Sequence, residues 1–410
     1  MTGPRVITLG CRLNAFESEV MRGHAEAAGA EDTVIINSCA VTSEAERQAR
    51  QTIRRARKDN PGARIIVTGC AAQIEPEKFA AMAEVDQVLG NTEKLLPESY
   101  RASAAAPPVQ VADIMTEATA PKLTVPGFEN RSRAFIQVQQ GCDHRCTFCI
   151  IPFGRGNSRS VPAAHIIAQA RQLTEAGYKE AVLTGVDISS FDDGLAALVR
   201  QLLAAVPELA RLRLSSLDPA MVDAELIALA ADEPRLMPHF HLSVQAGNDL
   251  ILKRMKRRHD AAQVIEICAR LRQARADIQF GADLIAGFPT ETDAMFADTV
   301  ALVEEAGLAY LHVFPYSPRP GTPAALMPQS GAATARARAQ ELRDTGNRVK
   351  AEIFARMIGR RATVLTEKDG KGYTEHYAPV RMGNAPEPGN LMPVEITAVQ
   401  DLVLTAEPLR

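Results

Sequence analysis

The feature that most constrains this chain is an alternation of short apolar runs with longer amphipathic ones. Val6–Leu9, Val34–Asn37, Ile65–Thr68 and Val85–Leu89 read as strands. Glu17–Ala28, Glu44–Lys58 and a segment around Glu77–Ala83 read as helices between them. Apolar runs that do not alternate with polar residues belong to strands covered on both faces. The pattern therefore predicts a parallel α/β sheet.

From Ala134 the alternation resumes with a longer repeat. Predicted strands are Phe135–Val138, Ala181–Thr184, Leu212–Ser215, His239–Ser243, Ile278–Leu284 and Leu308–Phe314. Ala163–Glu175, Leu195–Ala205, Ala261–Ala274 and Thr292–Glu305 are predicted helices among them. Six β/α units fit a full or partial TIM-like barrel, whose chemistry sits at the C-terminal ends of its strands. A charged helix, Ala332–Met357, leads out. The short runs Arg361–Leu365, Ala378–Met382, Met392–Val399 and Leu402–Leu404 then suggest a small OB-sized β-barrel. The expected organisation is an α/β domain at 1–100, a Pro- and Ala-rich linker with one strand at 101–133, a barrel at 134–331, a connecting helix at 332–359 and a β-barrel at 360–410. A chain of 410 residues, 46% hydrophobic and 23% charged, can fill several such cores. Neither a secretory start nor a membrane-length apolar run is present, so a cytoplasmic location without a membrane partner is expected.

Seven cysteines without export signals point to metal or redox chemistry rather than disulfides. Cys142, Cys146 and Cys149 stand in a C-x3-C-x2-C loop directly after the first barrel strand. Three thiolates can hold three irons of a 4Fe-4S cube and leave the fourth open. An open iron can bind the amino and carboxylate groups of S-adenosylmethionine (SAM), and an electron from the cluster can then release a 5′-deoxyadenosyl radical. A structural zinc site is the rival, with His144 as the fourth ligand from inside the loop. Phe148, just before the last cysteine, matches the same pattern and would pack beside the adenine, or simply pack within the loop.

Cys11, Cys39 and Cys70 each end a strand of the first domain, in VITLGC, VIINSC and IIVTGC. Parallel strands place them on one rim of the sheet, where ligands bind in α/β folds. That predicts a second iron–sulfur cluster with an open iron. Cys268 lies on the apolar face of a helix and reads as core.

A net charge of −3 does not suggest a nucleic-acid partner. Three basic stretches can hide within that average: Arg47 to Lys58, Lys253 to Arg258, and Arg336 to Arg361. Solvated helix faces explain any one of them equally well.

Two tri-cysteine sites in this order resemble the methylthiotransferase family of radical SAM enzymes, over nearly the whole chain. TLGCRLNAFESE, NSCAVT and TGCAAQ are similar to its N-terminal domain. GCDHRCTFCIIPFGRGNSRS is similar to its radical SAM loop, HLSVQAGND, DLIAGFPTET and HVFPYSPRPGTPA to its later barrel strands, and GKGYTEHYAPV to its RNA-binding TRAM domain. The resemblance implies two 4Fe-4S clusters and two uses of SAM, one methylating a sulfur on the auxiliary cluster and one abstracting a hydrogen from the substrate. It implies an electron donor such as flavodoxin or ferredoxin and, as partner, a tRNA anticodon stem-loop, whose phosphates the basic stretches would meet. TLGCRLNAFESE, RLSSLDP and HVFPYSPRPGTPA look most like the branch that modifies C2 of N6-threonylcarbamoyladenosine at position 37. Other branches act on isopentenyladenosine in tRNA or on a ribosomal-protein aspartate. A metal-stabilised RNA-binding protein without catalysis is the reading of another class. Thr290, where GFPGET is commoner, and Asp218, where the branch often has Glu, are mild departures.

Further candidates lie at strand ends. Gly185 would contact the methionine part of SAM, or only turn the chain. Gln245 and Asp283 would contact SAM or substrate, with a helix cap as the alternative for Asp283. Arg155 and Arg159 follow the cysteine loop and could reach SAM or substrate.

Overall fold

The computed structural model describes residues 3–101, 107–383 and 387–409. Its N-terminal unit runs β1 (Arg5–Thr8), α1 (Arg12–Ala27), β2 (Thr33–Ser38), α2 (Ser43–Asp59), β3 (Arg64–Gly69), α3 (Cys70–Ile74), α4 (Pro76–Ala80), β4 (Gln87–Leu89) and β5 (Val109–Gln110). The five strands form one parallel sheet in the order β1-β2-β3-β4-β5. Val34 to Ile36 and Ile65 to Val67 have no solvent exposure, as strands covered on both faces require. The segment expected as a linker thus supplies a fifth strand, while its residues 102–106 lie outside the described ones. The single helix expected around Glu77–Ala83 is instead two short ones. Pro76 cannot donate an N–H to continue α3, and it occupies the first turn of α4, where no such donor is needed. Helix α1 begins at Arg12 rather than Glu17. Its first turns bury Asn14, Glu17 and Ser18 beside Leu13 and Phe16, which hides the apolar stripe.

The second unit begins with β6 (Ala134–Gln137). A small ribbon, β7 (Gln139–Gln140) and β8 (Arg159–Ser160), brackets the cysteine loop and α5 (Ile151–Arg155). There follow α6 (Ala163–Glu175), β9 (Glu180–Thr184), α7 (Leu195–Ala205), β10 (Arg211–Leu214), α8 (Ala224–Asp232), β11 (His239–Gln245), α9 (Asp249–Met255), α10 (Ala261–Ala274), β12 (Gln279–Ala286), α11 (Asp293–Glu305) and β13 (Leu308–Pro315). Two parallel sheets, β6-β9-β10 and β11-β12-β13, meet through bridges at Leu212–Leu236 and Leu217–Leu242. Six strands thus make one partial barrel, and among the described residues no ladder joins β6 to β13. Flanking helices cover both margins. Ala15, Phe16 and Val20 of α1 share a core with Phe135 and Ile136 of β6, and so do Ala339 and Leu342 of α12 (Ala332–Ala355). Met21 and Ala25, elsewhere on α1, pack on Ile35 and Ile66 of the first sheet. Helix α1 is therefore the wedge between the two units.

The C-terminal unit is a closed barrel of β14 (Arg361–Thr366), β15 (Lys371–Thr374), β16 (Pro379–Met382), β17 (Leu391–Gln400) and β18 (Val403–Pro408), ordered β14-β15-β16-β18-β17. Sequence reasoning missed β15, whose four residues are too few for a period to register. The turn after β15 docks on the larger barrel. The Tyr377 hydroxyl accepts from Arg12 at 3.3 Å and Arg133 at 3.2 Å. Beneath it, the buried Glu180 carboxylate pairs with Arg213 at 2.9 Å, Arg133 at 3.1 Å and Arg211 at 3.6 Å. No helix among the described residues is long and apolar enough to cross a membrane.

Candidate metal centres

Adjacent parallel strands bring Cys11, Cys39 and Cys70 to one rim. Gly10, at φ +95°, leaves room for its neighbour: a Cβ there would lie 2.8 Å from Cys39 Cβ and 3.0 Å from its Sγ. Cys70 is buried, Cys39 half-buried and Cys11 open to solvent. Burial first, and then negative charge on Cys70, push the Cys39 thiol up to about 11. A bound cation reverses that preference by displacing the proton. From across the domain boundary, α5 closes on the rim. A Cβ on Gly154 would lie 3.2 Å from Cys70 Cβ, close enough that Cys70 would have to give by a few tenths of an ångström.

Arg155, the next residue, is buried against the same rim. Its Nε donates to Cys70 Sγ at 3.1 Å, and its Nη2 to Asn14 Oδ1 at 2.5 Å and Glu17 Oε2 at 2.9 Å. Nη1 donates to Gln140 Oε1 at 3.2 Å and also pairs with Glu17 Oε1. Lys94, with no solvent exposure, reaches Glu17 Oε2 at 2.7 Å. Burial alone would raise the Glu17 pKa, but Arg155 and then Lys94 outweigh it and hold the carboxyl at about 2.

The second triad lies in the loop after β7. Cys149 N–H donates to the Cys146 carbonyl at 3.1 Å, which turns the loop back on itself. Arg145 holds the Cys142 carbonyl at 2.7 Å, and Arg257 Nη1 approaches Cys146 Sγ at 3.7 Å. Burial pushes the Cys142 thiol up to about 12 and that of Cys149 up to about 11. His144 Nε2 faces Asp187 at 3.1 Å and Arg258 at 2.8 Å. Among the described residues, the three-donor groups within 4.8 Å of one another are Cys142–His144–Asp187 and His241–Asp283–His312. Neither cysteine triad is that tight. Thiolates on one zinc ion stand about 3.8 Å apart, given Zn–S bonds of ~2.3 Å. The wider spacing suits sulfurs spread around a cube, and three thiolates without a fourth suit a cluster with one open iron.

The remaining predicted residues divide. Phe148 packs edge-on to Phe288, 6.4 Å between centroids, in an apolar nest with Met255 and Tyr316. Gly185 faces protein: a Cβ would lie 2.8 Å from the Gln139 carbonyl. Gln139 Oε1 accepts from Val186 N at 3.0 Å and Asp187 N at 2.9 Å, so this glutamine ties the loop after β9 to the start of the cysteine loop. Gln245 ends β11 at φ +74° beside a register shift. Asp283 is not a helix cap. It lies within β12 and accepts from His241 at 2.9 Å and His312 at 3.1 Å, which hold its carboxyl well below the usual range against the opposing effect of burial. Arg159 donates to the Arg155 carbonyl at 2.6 Å.

The basic stretches are mostly engaged. In α2, Arg47 pairs with Glu44, Arg55 with Asp59 and Arg57 with Asp86. Arg257 and Arg258 both stand 3.3 Å from the buried Asp218, directly behind the cysteine loop. Arg338 pairs with Glu291 at 2.8 Å. Thr290, at φ +68°, holds a left-handed conformation that glycine adopts freely, and its hydroxyl accepts from Arg254 at 2.7 Å. Sequence reasoning missed Glu17, Lys94, Asp187, Arg257, His241 and His312. For the histidines a signal existed: alternate residues of a barrel strand face inward, and polar ones there need a reason.

Residues 136–303 match the family described as the Radical SAM superfamily, and residues 5–90 match uncharacterized protein family UPF0004. The solved structure of TsrM from Kitasatospora setae, a radical S-adenosylmethionine methyltransferase, is similar with a TM-score of 0.55 at 17% identity, covering 77% of this chain and 68% of that one. That likeness speaks for the fold. The barrel and its cysteine loop thus define a radical SAM enzyme. The threonylcarbamoyladenosine tRNA methylthiotransferase MtaB of Rickettsia prowazekii is 48% identical, covering 97% of this chain and 95% of its own. Its namesake in Aquifex aeolicus is 33% identical, covering 95% and 98%. A tRNA-2-methylthio-N(6)-dimethylallyladenosine synthase of Cereibacter sphaeroides is 36% identical, covering 95% of each. The chain belongs to the radical SAM methylthiotransferase family. It is a transferase of that type, and membership implies a 4Fe-4S cluster and SAM.

Proposed function

We propose that this enzyme adds a methylthio group to C2 of N6-threonylcarbamoyladenosine at position 37 of tRNA, in the cytoplasm, using two 4Fe-4S clusters and two molecules of SAM. The observation that carries the reading is a pair of three-thiol sites in one chain, beside a 48% identical relative named for that substrate. When bound, the clusters and SAM supply the radical and the methylthio group. Cys142, Cys146 and Cys149 hold the first cluster, and Cys11, Cys39 and Cys70 the second. Phe148 would pack beside the adenine, and Gln245 and Asp283 would offer polar contacts from the barrel mouth, while Gly185, whose Cβ position is closed by Gln139, serves to turn the chain. For the RNA, a cavity of about 790 Å³ whose lining includes Arg12, Arg131, Lys368 and Lys371, beside Glu367 and Asp369, offers cations to phosphates of an anticodon stem. An electron donor such as flavodoxin or ferredoxin would deliver the electron.

Mass spectrometry of tRNA nucleosides from a deletion strain tests the substrate. Loss of the 2-methylthio derivative of N6-threonylcarbamoyladenosine is expected, and an unchanged profile would overturn the reading. Loss of the isopentenyladenosine derivative instead would favour the second reading, which the 36% identical relative supports. Zinc without sulfide, and no SAM cleavage under reduction, would leave a non-catalytic RNA-binding protein.

A further inference from the structure

We propose that Arg155 is a positioning residue of the N-terminal centre: it donates a hydrogen bond to the Cys70 sulfur, raises the reduction potential of the cluster held there, and fixes that centre against the cysteine loop of the barrel. The inference rests on the two-cluster reading.

Three observations carry it. The first is geometry. All three guanidinium nitrogens are engaged, and Nε is aimed at Cys70 Sγ at 3.1 Å. The second is charge balance. Arg155 and Lys94 are buried cations, and Glu17 is the buried carboxylate they share. A second cation in the interior calls for a second anion. Asn14, Gln140 and Asn37, the neutral groups that complete the network, cannot supply it. Of the ligand sulfurs beside the network, Cys70 Sγ is the one that Arg155 donates to, and it is anionic when it binds iron. The third is connectivity. Arg155 ends the helix that follows Cys149, and its partners Asn14 and Glu17 lie in the first turns of the helix that follows Cys11. One side chain therefore joins the ligand segments of both centres. The glycines around it agree: a Cβ on Gly154 would press on Cys70 at 3.2 Å, and Gly156, at φ +75°, has no room for a Cβ beside the Ile114 carbonyl.

The physical consequence follows from the charge. An electron added to an iron–sulfur cluster increases its negative charge, and hydrogen bonds to the sulfurs stabilise the reduced form. A guanidinium N–H on a ligand sulfur in a dry site shifts the potential upward.

The full chain carrying Cys142→Ala, Cys146→Ala and Cys149→Ala, reconstituted anaerobically with iron and sulfide, isolates the N-terminal centre. With 15N-arginine labelling, electron spin-echo envelope modulation of the reduced cluster is expected to detect one arginine nitrogen. Removal of the loop cysteines matters here, because Arg257 approaches Cys146. Arg155→Lys in the same background is expected to lose that coupling, and Arg155→Gln to retain iron with a more negative potential. No arginine coupling in the parent, or an unchanged potential in Arg155→Gln, would overturn the inference even if Arg155→Lys failed to fold. Absence of iron on the N-terminal triad would overturn the two-cluster reading and this inference with it.

Discussion

Glu17→Gln is the sharpest test of the buried network. The substitution preserves shape and removes the one carboxylate shared by Arg155 and Lys94. A carboxyl that titrates at about 2 instead of 4.5 has its charged form stabilised by about 3 kcal/mol, at roughly 1.4 kcal/mol per tenfold change in proton affinity. Removing one partner of a buried ion pair costs about 3–5 kcal/mol, in accord with that figure. The loss should fall on α1, which carries Glu17 between the first sheet and the barrel. Native-state hydrogen exchange of α1 amides is the assay, and about 3 kcal/mol corresponds to roughly a hundredfold loss of protection. The pH dependence has a definite sign. The folded pKa lies below the unfolded one, so the unfolded chain takes up the proton first. The contribution is complete above about 4.5 and is lost as pH falls toward 2. On metal-free protein, urea midpoints of wild type and Glu17→Gln should therefore converge on acidification. Protection within threefold of wild type, or a gap that stays constant down to pH 3, would refute the reasoning.

Gly185→Ala would place a Cβ 2.8 Å from the Gln139 carbonyl and 3.0 Å from its Oε1. The Asp187 loop must then shift, at about 1–3 kcal/mol by calorimetry, and an unchanged melting temperature would contradict the packing described. Tyr377→Phe keeps the ring but leaves the Arg12 and Arg133 donors at 3.3 and 3.2 Å without an acceptor. A loss of about 1–3 kcal/mol is expected, seen as faster proteolytic release of the C-terminal barrel. Replacing Cys11, Cys39 and Cys70 together by alanine should lower bound iron from about eight to about four per chain; retention of eight would place the second cluster elsewhere.

Much of the architecture was legible because parallel strands are buried on both faces. VIIN and IIVT carry no polar residue on a solvent side, so their runs stand out, and a cysteine two residues past each run falls on a common rim. Elements that rest on few residues were the hardest to read: β15, with four, was missed, and β5, with two, was expected only as one strand within the linker; both exist by pairing with strands already in place. The candidate site was legible in its sulfurs, which are marked by residue type and spacing, and illegible in its charges. Glu17 and Arg155 are 138 positions apart and Glu17 and Lys94 are 77 apart, so no period or motif links them. One local clue did exist. Arg155 ends the otherwise apolar helix IPFGR between Gly154 and Gly156. A charged residue cannot be buried without a partner, so an arginine on an apolar turn flanked by glycines requires an acceptor from elsewhere in the chain. The carboxylate that answers it sits in the first turns of α1, the helix that must be buried on two sides for the units to meet. The wedge that joins the domains and the anion that holds Arg155 against Cys70 are thus one element, so a change that weakens either should weaken both.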